Sequence, residues 1–278
     1  MNIHDPQPAD TPPVLYKYRY FDPDGYHLRA IRDSHLWFST ARVFNDPFDS
    51  ALKYNFDETN PDLRLNWAIG VIRRDFPHLS VVECRKRAKQ RLTEIDNDPN
   101  YLEQFQKDSV ETNYDKFGIC CLTPRKDDLL MWAHYADGHK GFVVGYDTQK
   151  ILYIQEELVK KRELLDLQMV SYKKQIPEIN FFESMTSDHT YEDIIKLLIT
   201  KSERWSYEQE YRLILWYHID TNLSLPSDCI TEIIQGCRIE PDDEKKLRDV
   251  IQSSVSTPAL FQAREHDTEF SLEIEEIQ

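Results

Sequence analysis

Apolar and polar residues alternate along several short segments of the chain, as they do in half-buried β-strands. The alternation is clear in residues 15–21 (LYKYRYF) and 35–39 (HLWFS), and residues 207–217 (YEQEYRLILWY) add many aromatic and β-branched side chains. Further strands are predicted at residues 117–122, 140–146, 230–237, 259–264 and 270–277. Strands near both ends, with helices inserted between them, indicate an α+β fold whose central split sheet is mostly antiparallel.

Apolar residues change to helical spacing in the middle of the first half of the chain. Residues 65–72, 81–92 and 101–110 place apolar side chains three and four positions apart among many charges. This pattern predicts a helical insert over about residues 60–115. Its run of basic residues at 84–91 (CRKRAKQR) is typical of a solvated helix face, and it also offers a surface to an anionic partner.

The organisation predicted from these patterns is one domain. Residues 1–13 (MNIHDPQPADTPP) contain prolines and acids without an apolar segment, so they predict a disordered lead rather than a secretory signal. Residues 14–278 then form a single α+β domain that contains the helical insert. Additional helices are predicted at residues 190–201 and 241–253, the latter with three acids in its first turn.

Composition narrows the classes of function. With 40% hydrophobic residues in 278, the chain can bury a large core, so global disorder is excluded. The formal net charge of −15 disfavours non-specific binding to nucleic acid, and no apolar stretch reaches the length of a membrane span. The 5 cysteines form no CxxC pair, which predicts reduced thiols and a cytoplasmic protein.

Two cations lie close together on the first predicted strand. Lys17 and Arg19 would point to one face, and Tyr18 to the other, because side chains alternate along a strand. Adjacent cations on a strand are able to hold a phosphate or a carboxylate. The same pattern is also typical of a solvated edge strand that is protected from aggregation.

A turn follows the second predicted strand. Asn45 and Asp46 precede a proline, and phenylalanines flank the turn at positions 44 and 48. One interpretation is that the turn presents Asn45 and Asp46 to a cleft while the rings anchor it. The alternative is a structural loop held to the core by its aromatic residues.

Two carboxylates and an arginine begin the late aromatic strand. If residues 207–217 are one strand, Glu208, Glu210 and Arg212 share a face. Carboxylates two residues apart repel unless a proton or a cation lies between them, and catalytic carboxylates have such shifted pKa values. A half-exposed strand face with paired charges explains the pattern equally well.

A fourth cluster lies in the segment MWAHYADGHKG, which begins at Met131. Here His134 and Tyr135 follow a predicted helical turn, and His134 is typical of a surface or hydrogen-bonded histidine as much as of a base. No dinucleotide-binding, Walker, nucleophile-elbow or zincin motif is present in the sequence. The sequence itself predicts no bound metal.

Taken in order, these segments resemble a bacterial family known only as domain-of-unknown-function family 2971. The resemblance is carried by LYKYRYF, LWFSTARVFNDPFDS, GICCLTPRKDDLLMWAHYADGHKGFVVGYD, KSERWSYEQEYRLI and IIQGCRI. Members of this family look similar to abortive-infection and phage-defence proteins. The resemblance therefore implies a role in bacterial antiviral defence, without an activity.

The same layout is similar to that of ADP-ribosyltransferases, which use NAD as a substrate. This resemblance implies that Arg19 or Lys17 contacts the NAD phosphates and that Ser39 supports the strand beside the nicotinamide ribose. It makes Glu210 the catalytic carboxylate, with Glu208 as the first glutamate of an ExE pair. A carboxylate that binds the ribose 2′-OH stabilises the oxocarbenium-like transition state as nicotinamide leaves.

The leading hypothesis is thus an NAD-using effector in defence or toxicity, either an ADP-ribosyltransferase or an NAD glycohydrolase. A first alternative is a non-catalytic sensor that binds a small anionic ligand or a phage protein with the same residues, including Asn45, His134, Tyr135 and Arg212. A second alternative is a metal-dependent nuclease built on Asp46, Asp49, Glu208 and Glu210.

Overall fold

A computed structural model describes residues 11–50, 53–56, 60–186 and 190–277 of the chain. Most of the predicted N-terminal lead, residues 1–10, lies outside the described residues. The chain divides into two compact units. Unit 1 comprises residues 1–43, 115–170 and 204–278, and unit 2 comprises residues 44–114 and 171–203.

The described strands and helices are numbered in chain order. The strands are β1 Val14–Arg19, β2 His35–Phe38, β3 Lys53–Asn55, β4 Phe117–Leu122, β5 Phe142–Asp147, β6 Leu165–Met169, β7 Ser171–Lys173, β8 Glu178–Asn180, β9 Thr200–Ser202, β10 Tyr211–Trp216, β11 Thr221–Ser224, β12 Ile230–Gln235, β13 Ala259–Glu265 and β14 Leu272–Glu276. The helices are α1 Tyr26–Arg32, α2 Pro61–Asp75, α3 Val81–Asp96, α4 Tyr101–Tyr114, α5 Leu129–Tyr135, α6 Thr148–Lys160, α7 Phe181–Thr186, α8 Thr190–Leu198 and α9 Pro241–Ser253. In the part of the chain so described, no helix is long and apolar enough to cross a lipid bilayer.

Unit 1 is built on two larger sheets, and its fold is mixed α/β. A five-stranded sheet has the order β1-β5-β12-β13-β14, and a three-stranded antiparallel sheet has the order β4-β10-β6. In the larger sheet β12 and β13 are parallel, which departs from the antiparallel pairing of the other neighbours. The departure has a simple cause, because α9 connects β12 to β13 and a helical crossover brings the next strand back in the same direction.

The two sheets share one hydrophobic cluster, which we call the interlayer core. Leu15 and Val144 of the five-stranded sheet and Leu122, Leu167 and Leu213 of the three-stranded sheet belong to it. Because side chains alternate along a strand, these residues define the faces that the two sheets turn towards each other. Burial of this apolar area is the main stabilising contribution to unit 1.

A second cluster covers the other face of the five-stranded sheet. Here Tyr16, Tyr18 and Val143 pack against Trp132 of α5. The ring of Trp132 lies edge-on to the ring of Tyr18, at a centroid distance of 5.3 Å. The aromatic alternation of β1 therefore reflects its burial on both faces.

Unit 2 contains the helices predicted between residues 60 and 115. Helix α2 begins at Pro61, and the side chain of Asn60 caps it by accepting a hydrogen bond of 3.0 Å from the amide of Asp62. Helix α3 begins with a capping box formed by Ser80 and Glu83. The helices α2, α4 and α7 meet through the aromatic side chains of Trp67, Phe105, Phe181 and Phe182. Phe56, which follows β3, packs against Phe105 and Phe181. Two short parallel ladders, β3 with β8 and β7 with β9, complete the described part of this unit.

Candidate functional site

Strands β1 and β2 each contact the same edge of β4, but at different points. The backbone of Tyr16 pairs with Thr123, with N–O distances of 2.7 and 2.9 Å. Farther along the edge, the backbone of Ser39 pairs with Ile119, with distances of 3.2 and 2.8 Å. Ser39 is therefore held at this edge of β4 by its main chain.

Lys17 fills the gap between these two bridges. Its Nζ donates a hydrogen bond of 2.8 Å to the carbonyl oxygen of Cys121, which lies midway between Ile119 and Thr123 on β4. Without the ammonium of Lys17, the carbonyl of Cys121 at this edge of β4 would lose a hydrogen-bond donor. Lys17 thus has a structural contact that sequence alone does not reveal.

The predicted site residues of β1 and β10 lie on opposite faces of the three-stranded sheet. Lys17 and Arg19 share the face of Leu15 and so turn towards the interlayer core. On β10, Leu213 and its alternate neighbours turn towards that core, so Arg212 points to the other face of the three-stranded sheet. Arg19 and Arg212 therefore do not line one face.

Glu210 binds Arg212 through two hydrogen bonds. The Nε of Arg212 donates to Oε1 of Glu210 at 2.8 Å, and its Nη2 donates to Oε2 at 3.2 Å. Arg212 is 0% exposed and Glu210 is 4% exposed. A bidentate arginine–carboxylate contact of this kind compensates much of the cost of burying both charges.

Glu208 does not lie on the predicted strand. It ends a 3₁₀ turn, Glu203–Glu208, and Gln209 follows with a φ of 46°, so β10 begins only at Tyr211. The prediction of one strand over residues 207–217 is therefore wrong at its start, because a left-handed residue interrupts the extended backbone. The carboxylate Oε1 of Glu208 accepts a hydrogen bond of 2.7 Å from the hydroxyl of Tyr135, and Glu208 is 3% exposed.

The remaining aromatic residues of the predicted site have different surroundings. Tyr18 is buried, and its hydroxyl donates a 3.0 Å hydrogen bond to the carbonyl of Arg125, while burial raises its pKa. His134 is exposed, and its ring lies 6.3 Å from the ring of Trp205. Tyr18 is thus part of the fold, whereas His134 lies at a surface.

Arg19 lies beside a histidine that the sequence did not single out. The Nδ1 of His27 lies 2.8 Å from the carbonyl oxygen of Tyr20, and since a carbonyl only accepts, Nδ1 carries the proton. Burial, and after it the positive charge of Arg19, lowers the pKa of His27 to about 4. The nearby carboxylate of Asp22 accepts hydrogen bonds from two backbone amides at the start of α1.

Asn45 and Asp46 belong to unit 2, and the turn that contains them is arranged differently from the prediction. Asp46 is 7% exposed and accepts a hydrogen bond of 2.9 Å from the amide of Phe48, whereas the ring of Phe48 is 64% exposed. Asp49 is also buried and lies 3.6 Å from Nζ of Lys201. The prediction is therefore wrong for two residues of the turn, because the ring of Phe48 points outward and does not anchor the turn, and the carboxylate of Asp46 is buried rather than presented.

The structure thus groups some of the predicted residues and separates others. In unit 1, one group is formed around residues 208–212 by Tyr135, Glu208, Glu210 and Arg212. Lys17 and Arg19 lie towards the interlayer core, and Ser39 lies at the edge of β4. Among the described residues, no group of three or more His, Cys, Asp or Glu side chains is arranged to hold a metal ion.

Part of the chain is similar to a known protein family. Residues 131–213 match a family that is described as a protein of unknown function (DUF2971). The matched stretch includes Tyr135 and Glu210 but neither Arg19 nor Ser39. No curated protein and no solved structure matches the chain. Over these residues the chain is therefore similar to an uncharacterised family.

Proposed function

We propose that this protein is a non-catalytic binding module that recognises a small anionic ligand at Arg19 in unit 1. The proposal rests on the partial burial of Arg19 and on its lack of a described ion-pair partner. Arg19 is half-buried at the end of β1, and in the part of the chain described here no carboxylate lies within ion-pair distance of its guanidinium. An arginine that is partly removed from water without a partner is a site for an anion, because an anion restores the lost solvation.

The groups around Arg19 support an anion rather than a cation. Lys17 lies on the same face of β1, and its ammonium is fixed by the carbonyl of Cys121. Burial, and after it the positive charge of Arg19, lowers the pKa of His27 to about 4, so at pH 7 its imidazole is neutral and carries no charge that competes for the anion. The carboxylate of Asp22 is occupied by the amides of Tyr26 and His27. A carboxylate or phosphate would accept two parallel hydrogen bonds from the guanidinium.

The test is a titration observed at the site itself. Phosphate, acetate and succinate are added to ¹⁵N-histidine-labelled protein, and the imidazole signals of His27 are followed by NMR. Wild type should show saturable shifts, and Arg19→Met should abolish them. The control Arg73→Met removes an exposed arginine of α2 and should leave the titration unchanged. If the His27 signals do not respond to any of the three anions, the proposal fails.

Group transfer from NAD is a second proposal, and the two buried carboxylates favour it. Glu208 receives a hydrogen bond from the phenol of Tyr135, and Glu210 is held by Arg212, so both carboxylates are oriented by neighbours. In this proposal Glu210 would have to exchange the guanidinium for the ribose 2′-OH of NAD, with Arg19 and Ser39 contributing to binding. The positions of Arg19 and Arg212 on opposite faces of the three-stranded sheet count against it.

The transferase proposal has a direct assay. Purified protein and a bacterial lysate are incubated with labelled NAD, and nicotinamide release and label transfer are measured for wild type and Glu210→Gln. Activity in wild type that is lost in Glu210→Gln would support transfer. A phage-plating assay then tests the role in defence. Protection that survives Glu210→Gln but is lost in Arg19→Met would favour the sensor.

A further inference from the structure

A cleft in unit 2 is lined by lysines. Its volume is about 1190 Å³, which is ample for a small ligand. Its lysines come from the start of β3, the end of β7, the segment after it and the last turn of α8, and we call this group the lysine cleft: Lys53, Lys173, Lys174 and Lys196. These positions are far apart in sequence, so only the fold brings them together.

Most of this positive charge has no described counter-charge. Lys53 is paired with Glu178, the carboxylate that also lines the cleft. Among the described residues, Lys173, Lys174 and Lys196 form no ion pair. A chain whose formal net charge is −15 therefore concentrates unpaired ammonium groups in one concave region. Such a region attracts and holds anions.

A smaller cavity of about 260 Å³ continues the cleft and adds an aromatic surface. It shares Lys173 and Lys174 with the lysine cleft and is also lined by Phe48. The amide of Phe48 is fixed by Asp46, so the exposed ring is held on a defined backbone. Lys201 lines this cavity too, but Asp49 lies 3.6 Å from its ammonium, so its charge is compensated.

We propose that unit 2 binds a nucleoside phosphate, with the phosphates at Lys173, Lys174 and Lys196 and the base stacked on Phe48. Lysines act as point charges towards phosphates, and three of them balance the charge of a nucleoside diphosphate and most of the charge of a triphosphate. A flat base is the ligand group that gains most from an exposed aromatic ring beside such a cleft, because stacking needs only a free face. This site is independent of the anion site at Arg19.

The experiment is a calorimetric titration of the full-length protein with ATP and, separately, with inorganic tripolyphosphate. Lys173→Glu/Lys174→Glu should weaken the binding of both ligands by at least tenfold. Phe48→Ala should weaken ATP by about fivefold to a hundredfold, the range for losing one stacked base, and should leave tripolyphosphate unchanged. Arg19→Met should alter neither titration, which separates this site from the one in unit 1.

Two control variants test whether a loss of binding is specific to the residues of the cleft. Lys86→Glu/Lys89→Glu makes the same change of charge on exposed positions of α3 in the same unit, and Phe76→Ala removes another exposed ring of that unit. Both should bind ATP as wild type does, and thermal unfolding should show that every variant is folded. Equal losses in the control variants, no ATP binding by wild type at millimolar concentration, or tighter binding of a ten-nucleotide single strand than of ATP would each overturn the proposal.

Discussion

Two arginines of unit 1 lie on neighbouring layers and have opposite surroundings. Arg212 on β10 is fully buried and is held by two hydrogen bonds from its guanidinium to Glu210. Arg19 on β1 is half-buried and, among the described residues, is not paired with a carboxylate. Both arginines follow an aromatic residue on an aromatic strand. The difference shows that the availability of a partner, rather than the strand pattern, decides which arginine is free to bind a ligand.

The largest expected effect is on the paired arginine. Glu210→Leu removes a carboxylate that accepts two hydrogen bonds from the buried guanidinium of Arg212, so the free energy of unfolding should fall by about 3–5 kcal/mol. Urea unfolding followed by circular dichroism measures this change. The double variant Glu210→Leu/Arg212→Met should recover most of the loss, because an apolar pair of similar size buries no charge.

An exposed ion pair provides the control for this experiment. Arg264 and Glu275 lie 2.6 Å apart on neighbouring strands, with side chains 58% and 51% exposed. Glu275→Leu should change the stability by less than about 1 kcal/mol, since water screens such pairs. If Glu210→Leu were as mild as Glu275→Leu, the Glu210–Arg212 contact would not be a buried ion pair of structural importance.

A smaller effect is expected at Tyr135, which supports the neighbouring carboxylate. Tyr135→Phe removes the hydroxyl that donates to Glu208, and a buried carboxylate that loses a donor costs about 1–3 kcal/mol. The same urea experiment detects this loss. Tyr217→Phe changes a tyrosine that is 70% exposed and should have no measurable effect. Equal stability of both variants would show that the hydrogen bond to Glu208 contributes nothing.

Part of this architecture follows from sequence patterns, and part does not. Alternation along β1 separates Lys17 and Arg19 from Tyr18, and helical spacing predicts α2 to α4, because both patterns depend on near neighbours. The left-handed backbone conformation of Gln209, in contrast, does not follow from a pattern of near neighbours. A non-glycine residue at positive φ has no reliable local signal, so the pattern of residues 207–217 does not predict that β10 begins only at Tyr211.

Contacts between distant segments were likewise beyond the sequence patterns. The hydrogen bond from Lys17 to Cys121 joins residues 104 positions apart, and nothing at either position announces it. The lysine cleft joins segments near residues 53, 173 and 196, and the sequence of each segment alone predicts only an ordinary charged surface. The electrostatic effect of Arg19 on His27 likewise depends on how the chain folds back between β1 and α1.

The smallest effect on stability, and the sharpest test of the comparison, is expected at the unpaired arginine. Arg19→Met removes no described ion pair, so at pH 7 the free energy of unfolding should change by only about 0.5 kcal/mol. Its effect should appear instead at His27, whose pKa of about 4 is lowered first by burial and then by Arg19. NMR titration should show a pKa above 4 in Arg19→Met but still below 6.5, because burial remains.

This shift also determines the pH dependence of stability. A histidine with a lowered folded-state pKa binds fewer protons in the folded than in the unfolded protein, so stability is lost as the pH falls from about 6.5 towards 4. Arg19→Met should reduce that loss, whereas His27→Asn should remove the contribution of His27 altogether. Urea unfolding at pH 7 and pH 5 compares the three proteins. An unchanged His27 pKa in Arg19→Met would mean that the positive charge of Arg19 does not reach the imidazole, and the anion site proposed around them would lose its physical basis.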